Sequence, residues 1–554
     1  MPSPAAPPWT GRVRSLAAVI GLAVLGPVAA IDTAPPPRVV TRVAKSMPPA
    51  DLDRALMAEA KANAEVMKNL EYLSDTIGPR LTGSKNLERA NEWAAEKMRD
   101  YGLTSVRQEP WEIPLGWERG AATLTVVEPD TRVRCTIAAV GWTPGTKGKV
   151  VGEVVAVRAR VKSDLDKYRG KLKNAVVMLS PPATVAPITD LSYGPLPPAK
   201  KDPSKKDEPK TDEPKKNPKI VTADQPDKKE PPKKEAEKKD EPPGAGIGPL
   251  VSPRDLDEFL LAEGVACRIG DAAKPHGLLV TFGGWKGTDR VPPDMTPKAL
   301  VAHEHFAMLY RLATRPAPAV TKVEIEISNT FVPGPITCFN TVGEVRGGEL
   351  PDEFVVVGAH LDSWDLATGT MDNGTGSCVV LETARTVAAL AKRGHRPKRT
   401  IRFVLFTGEE QGLHGSRKYV ETHADEMPRT SLALVHDTGT GKVYGFGVHG
   451  QEKTKQLLEP ELATLAATDG WKGLDLGGVF GSDHQSFHPA GVPGFAARQD
   501  IDEYRLTHHT QTDTFDHANG PNLVQGAQVL AVTAVRVANL PDLLPRTRPA
   551  KKAN

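Results

Sequence analysis

Short apolar runs alternate with amphipathic ones through the second half of the chain, and no other feature limits the fold so strongly. EFVVVGAH (353–360), TIRFVLFTGEE (400–410), SLALVHD (431–437) and VPGFAAR (492–498) read as buried strands bounded by turn signals. GSCVVLETARTVAALAKRG (376–394), HGSRKYVETHA (414–424) and NLVQGAQVLAVTAVRVANL (522–540) repeat apolar residues at helical spacing. Such alternation predicts an α/β sheet with helices on both faces. There is no internal repeat.

Ligands of open α/β sheets bind beyond the carboxyl ends of the strands, so each run is read at its last residues. The first ends in His360, and Asp362, Asp365 and Asp372 follow before the next helix. The second ends in Glu409 and Glu410, the third in Asp437, and RLTHHTQTDT (505–514) carries His508 and His509. Each residue alone is ordinary. A single His or Asp after a strand serves as a cap or a loop hydrogen bond, and an acidic pair starting a helix suits the helix dipole. Gathered at one edge, however, these carboxylates would repel and raise one another's pKa values. Divalent metal removes that conflict, since three carboxylates and two imidazoles bring two Zn²⁺ ions to about one residual positive charge, which a hydroxide cancels. Glu409 and Glu410 are neighbours on an extended segment, so their side chains point to opposite sides and do not bind one metal alike.

With 554 residues the chain is too long for one simple core and predicts two or three domains. A formal net charge of +3 and 5% aromatic residues give no basic patch or stacking surface for nucleic acid. Arg12 and Arg14, the apolar run Leu16 to Leu25, and small residues at Val28 and Ala30 read as an export signal, with the mature chain starting near Ile31. That run is too short for a comfortable membrane span and no later one is long enough, so no stable membrane insertion is expected. The location implied is periplasmic or extracellular. Cys135, Cys267, Cys338 and Cys378 are too scattered for a disulfide framework or a thiolate zinc site, although a Cys135–Cys267 bridge is conceivable in an oxidising compartment. Residues 31–50 are a proline-rich linker, and 51–101 read as helical with a break at DTIGPRLTGS (75–84). A β-rich stretch follows, with ATLTVVEP (122–129), TIAAVG (136–141) and VVGEVVAVRA (150–159). Residues 199–243 are mostly Lys, Asp, Glu and Pro, a composition that cannot offset chain entropy by burial and predicts disorder. GVACRIG (264–270), GLLVTFGG (277–284) and ALVAHEHFAMLYRLA (299–313) then resume the strand and helix pattern.

The motifs GAHLDSWD, MDNGTG, FTGEEQG, HDTG, GSDHQSF with AGVPG, and HHTQTDT together resemble those of the M28 metallopeptidases. Likeness extends to DTIGPRLTGSKNLERA (75–90), WERG (117–120) and RPKRT (396–400), and it covers most of residues 60–545 outside the charged segment. The resemblance implies a mixed-sheet zinc exopeptidase fold of the phosphorylase/hydrolase-like type, with an inserted β-rich, protease-associated-like domain. Two Zn²⁺ per chain are implied, with Asp372 bridging them, Glu410 and His509 completing one and His360 and Asp437 the other. His509 is preferred over His508 because the family pattern His-Thr/Ser-x-x-Asp-Thr falls on HTQTDT. The family role of general base falls on Glu409, which would take a proton from the attacking water and pass it to the leaving amine. Asp362 is expected to accept from the far nitrogen of His360 and fix its tautomer. Asp483 is read as structural, and His484 and His488 as non-ligands on a wall of the substrate pocket. Asp365 is left without a metal role.

These readings divide the chain into a signal (1–30), a linker (31–50), a catalytic domain in two pieces (51–118 and 321–545), an insertion (119–320) and a tail (546–554). The expected activity is hydrolysis of dipeptides or short peptides, and the resemblance suggests a homodimer. Two other readings stand on the same fold. A glutaminyl-cyclase-like acyltransferase would use one zinc, whereas both His360 and Asp437 are available here for a second. A non-catalytic receptor-like protein would not need all five ligands and Glu409.

Overall fold

In the computed structural model the described residues are 47–185, 249–285, 295–316 and 319–546; the export signal and the charged segment 199–243 lie outside them. The chain first forms β1 (Thr104–Glu118), then leaves it for β2 (Ala122–Glu128), β3 (Arg134–Cys135), β4 (Ile137–Ala139), β5 (Val150–Ala156), β6 (Val176–Met178), β7 (Cys267–Asp271), β8 (Lys298–Val301) and β9 (Lys322–Ile327). It returns beside β1 with β10 (Thr330–Val345) and continues through β11 (Leu350–His360), β12 (Arg399–Phe406), β13 (Thr430–Val435), β14 (Val443–Gly447), β15 (Gly473–Asp475) and β16 (Gly494–Gln499). Two eight-stranded sheets result, ordered β1-β10-β12-β11-β13-β16-β14-β15 and β3-β2-β9-β5-β6-β7-β8-β4.

The first sheet is mixed. β11, β12, β13 and β16 run parallel, while antiparallel pairs flank them at β10–β12 and β14–β16. Parallel strands buried on both faces need apolar residues at every position rather than every second one. β11 meets that demand: Val355, Val357 and Ala359 face one core and Val356 the other. On the first face pack the helices Pro49–Ala62, Lys85–Tyr101, Thr375–Lys392 and Gly520–Asn539. On the second pack the helix His414–Thr422 and the turn Asp483–Ala490, through Tyr419 and Phe487. The expectation of helices on both faces is therefore met. Helix Lys85–Tyr101 shows how local sequence sets the ends: Ser84 caps it by accepting from the Leu87 N–H, and Gly102 ends it at φ 84°.

Some sequence readings change. β9 pairs with β2 and β5, so the return to the first sheet comes after Ile327 rather than at 321. GLLVTFGG is not a strand of either sheet; it makes only isolated bridges. All four cysteines are buried and free, so Cys135 and Cys267 are not bridged. Among the described residues no helix is long and apolar enough to cross a membrane.

Candidate metal centre

β11, β12, β13 and β16 all end on one edge, as their parallel registers require, and the candidate residues follow those ends. His360 closes β11 opposite Phe406 of β12. Arg80, wholly buried, clamps the loop after His360: it donates to the carbonyls of Leu361 (2.7 Å), Thr368 (2.9 Å) and Gly369 (2.6 Å). Asp513 receives the backbone N–H groups of Met371 and Asp372, which fixes where the Asp372 carboxylate stands. Asn373 locks the following turn by donating to the His436 carbonyl (3.0 Å) and accepting from the Gly376 N–H (2.9 Å). At Gly376 a Cβ would lie 2.2 Å from Asn373 Oδ1 and 2.3 Å from the His436 carbonyl oxygen, so only glycine fits that approach.

Asp372 is shared. Its Oδ1 is 3.4 Å from His360 Nε2 and its Oδ2 is 3.3 Å from His509 Nε2. Asp437 Oδ1 lies 3.1 Å from the same His360 nitrogen, and Glu410 Oε2 lies 2.8 Å from His509 Nε2. The two glutamates diverge: Glu409 approaches His360 at 3.9 Å while Glu410 faces His509. Donor atoms of His360, Asp372 and Asp437 lie within 4.8 Å of one another, and so do those of Asp372, His508 and His509. The structure thus brings all five sequence-assigned ligands together, with His508 beside them. His509 is the nearer of the two histidines to Asp372, at 3.3 against 3.7 Å, and it also contacts Glu410.

Asp362 works differently from the expectation. His360 Nδ1 is 3.0 Å from the Asp362 carbonyl and 3.6 Å from its carboxylate. The carboxylate instead accepts from Thr82 Oγ1 (3.0 Å) and from the N–H groups of Glu409 and Glu410 (3.3 Å each). One residue therefore orients His360 with its backbone and the Glu409–Glu410 pair with its side chain.

The donor set fits cations. Asp372 Oδ2 and Glu410 Oε1 are buried with no hydrogen bond, a costly state for carboxylate oxygens that a metal would relieve. Without cations, protons take their place. Burial and the Asp372 charge raise Glu410 to about 7, and the same causes raise Asp513 to about 8. Burial, helped by Asp437, Asp483 and Glu410 against the pull of His360, holds Glu409 well above the usual carboxyl range. Burial works against charge on His509, but Glu410 and Asp372 outweigh it and bring it to about 10. His508 goes the other way, to about 3, through burial and the neighbouring His509.

Several residues of the centre lie inside the family-like motifs but are assigned no ligand or catalytic role there. Arg80, Thr82 and Asp513 act on distant backbone or on Asp362. Asp483 is fully buried with neither carboxylate oxygen hydrogen-bonded, and burial brings it to about 7, with Asp437 and Asp362 adding to the effect. Burial and then the charges of Asp372, Asp437, Glu410 and Glu409 push the Tyr504 phenol, on the helix Asp502–Thr507, well above its ordinary pKa. His484 and His488 bond the carbonyls of Val479 (2.9 Å) and Gly494 (3.1 Å) and join neither donor group. A narrow crevice beside the centre is lined by Trp364, Leu366, Ala367, Asp372, Glu410, His509, Thr510 and Asp513.

The chain is similar to several known proteins. The model of Peptidase family M28 matches residues 340–534. Carboxypeptidase Q of Rattus norvegicus is 30% identical over 486 residues, which span 87% of this chain and 86% of the relative. The crystal structure of a Peptidase M28 precursor from Shewanella amazonensis superposes with a TM-score of 0.66 at 22% identity, covering 91% of this chain and 99% of that one. A zinc aminopeptidase from Bacillus subtilis superposes with a TM-score of 0.55 at 19% identity, covering 86% and 94%.

Proposed function

The chain belongs to peptidase family M28, and from that membership we propose that it is an exported zinc exopeptidase that hydrolyses dipeptides or short peptides. The observation that carries this reading is the shared Asp372, flanked by two histidines and by carboxylate oxygens that lack hydrogen bonds. His360 and Asp437 would hold one zinc, Glu410 and His509 the other, with Asp372 common to both. When bound, zinc supplies Lewis acidity, lowering the pKa of water and polarising the scissile carbonyl. Glu409 is the general base. Its carboxylate approaches the centre 3.9 Å from His360 Nε2, which suits taking a proton from the attacking water and returning it to the leaving amine. Asp362 accepts from the Glu409 backbone N–H, which fixes the main chain from which the base projects. The region between β2 and β9 is a protease-associated-like insertion that roofs the site. The relatives named carboxypeptidase Q and zinc aminopeptidase support both the peptide substrate and the metal. Export rests on the leader sequence.

One substrate panel tests the reading: a dipeptide, its N-blocked form and its C-amidated form, each assayed with and without chelator. Cleavage of at least one, its loss with chelator and its return with zinc are the expected results. Cyclisation of N-terminal glutamine with no peptide cleavage would overturn the proposal in favour of an acyltransferase.

A further inference from the structure

Residues 277–281, which the sequence suggests as a strand, lie instead as a strap along the loop that carries His509. The Thr281 N–H donates to the His509 carbonyl (2.9 Å), and Val280 bridges Thr510 in antiparallel sense. The Leu279 N–H donates to Gln511 Oε1 (2.8 Å), whose amide nitrogen donates back to the Gly277 carbonyl (3.2 Å). His509 needs such support, because it sits at φ 59°, a left-handed conformation that costs a residue with a Cβ free energy unless its surroundings impose it.

Arg119, in the WERG motif where the chain leaves β1 for the second sheet, joins this strap to the other half of the centre. Its Nη2 donates to Thr281 Oγ1 (2.9 Å) and to Asp365 Oδ1 (2.7 Å), and its Nε lies 3.0 Å from both Asp365 oxygens. Nη1 donates to the Ala139 carbonyl, and the guanidinium lies 5.0 Å from the Trp117 ring. Asp365 belongs to the loop that runs from His360 to Asp372. A planar guanidinium can grip a carboxylate with two nitrogens and still reach a third partner. Arg119 therefore spans from the loop that ends in Asp372 to the strap that holds His509.

We propose that Arg119 is a positioning residue for one metal position: anchored on Asp365, it holds through Thr281 the strap that positions His509, a ligand the two ions do not share, so that residues outside the catalytic sheet complete the ion site of Asp372, Glu410 and His509. The inference rests on the two-ion reading given above. It also accounts for Asp365, which has no role as a ligand.

The test is calorimetric titration of zinc into the metal-stripped full-length protein. Wild type is expected to take up two ions. Arg119→Met should weaken one of the two steps roughly ten- to hundred-fold, as loss of groups that orient metal ligands does, and leave the other within about twofold. In a Glu410→Gln background that step is already missing, and adding Arg119→Met should change nothing further. Thr281→Val removes only the hydroxyl link while keeping the backbone bond to His509; it should weaken the same step in a chain that folds normally. Equal weakening of both steps by Arg119→Met, or no weakening of either by both variants, overturns the inference while leaving the two-ion reading intact. A wild-type chain that takes up fewer than two ions overturns that reading, and this inference falls with it.

Discussion

Glu409 and Glu410 are neighbours in sequence and serve different histidines in space, because Asp362 pins both of their N–H groups while their side chains diverge. Their substitutions should separate accordingly. Glu409→Gln keeps the volume and removes the proton acceptor, so kcat should fall about 10²–10⁴-fold with zinc content unchanged. Glu410→Gln should cost one of the two ions as well. Metal analysis beside steady-state kinetics distinguishes them, and full turnover in Glu409→Gln would sink the general-base role. Strand ends point to His360, Asp437 and the Glu409–Glu410 pair, while Asp372 and His509, and Glu410 over Glu409, are singled out only by the resemblance to family motifs. Arg80 is not legible by that logic. It donates to the Gly369 carbonyl, 289 positions away, and main-chain acceptors leave no trace in residue type. Asp362 was legible as a residue but not as to which of its oxygens faces His360, since its backbone and side chain divide the work.

At the level of elements, the helix Pro49–Ala62 shows how an N-terminal segment is tied into the fold. Asp53 is fully buried and accepts from Arg536 Nε at 2.9 and 3.0 Å, joining this helix to Gly520–Asn539. Glu59 accepts from Arg385 (2.7 Å) and Arg393 (2.6 Å), joining it to Thr375–Lys392 and the turn beyond. Asp53→Ala leaves the mostly buried Arg536 with only Glu461 at 3.2 Å. Breaking a buried pair from one side costs about 3–5 kcal/mol, and the remaining Glu461 places this case toward the lower end. Glu88→Ala, by contrast, removes only the exposed Lys85–Glu88 pair and should cost under about 0.5 kcal/mol. Denaturant midpoints at constant m-value would measure both; similar losses would contradict the docking role of Asp53. The long helices and parallel strands were legible because one strong periodicity runs through each. The composition of GLLVTFGG suits a strand, whereas its hydrogen-bond partner is a loop some 230 residues later, and pairing is not written in local composition. The Gly-rich VYGFG of β14 carries too weak an apolar pattern to announce a strand.

Across the whole molecule, the buried acids couple folding to pH and to metal. Glu410 and Asp483 are held at about 7 and Asp513 at about 8, burial being the largest cause in each case. A carboxyl whose pKa is raised by folding binds its proton more tightly folded than unfolded. Its stabilising contribution is complete below the ordinary carboxyl pKa and is lost as pH rises through the folded value. His509, raised to about 10, follows the same sign over a higher window, contributing fully below the ordinary imidazole pKa and losing it as pH passes about 10. Four histidines that burial lowers to about 3 or 4 (His436, His449, His484 and His508) have the opposite sign, stability rising with pH up to the ordinary imidazole pKa, so they offset the carboxyls in acid. The metal-stripped chain should therefore lose stability mainly above about pH 6.5 and on to pH 8, where the buried carboxyls give up protons with no cation to replace them. In the zinc-loaded chain the ions replace those protons, and metal affinity itself rises as the ligands deprotonate. Zinc bound to the folded state also adds its own mass-action stabilisation. Unfolding midpoints with zinc and with chelator should thus lie close together near pH 5 and separate progressively toward pH 8. Curves that run parallel over this range would mean that the carboxyl cluster does not exchange protons for cations, and that the centre is held together by hydrogen bonds alone.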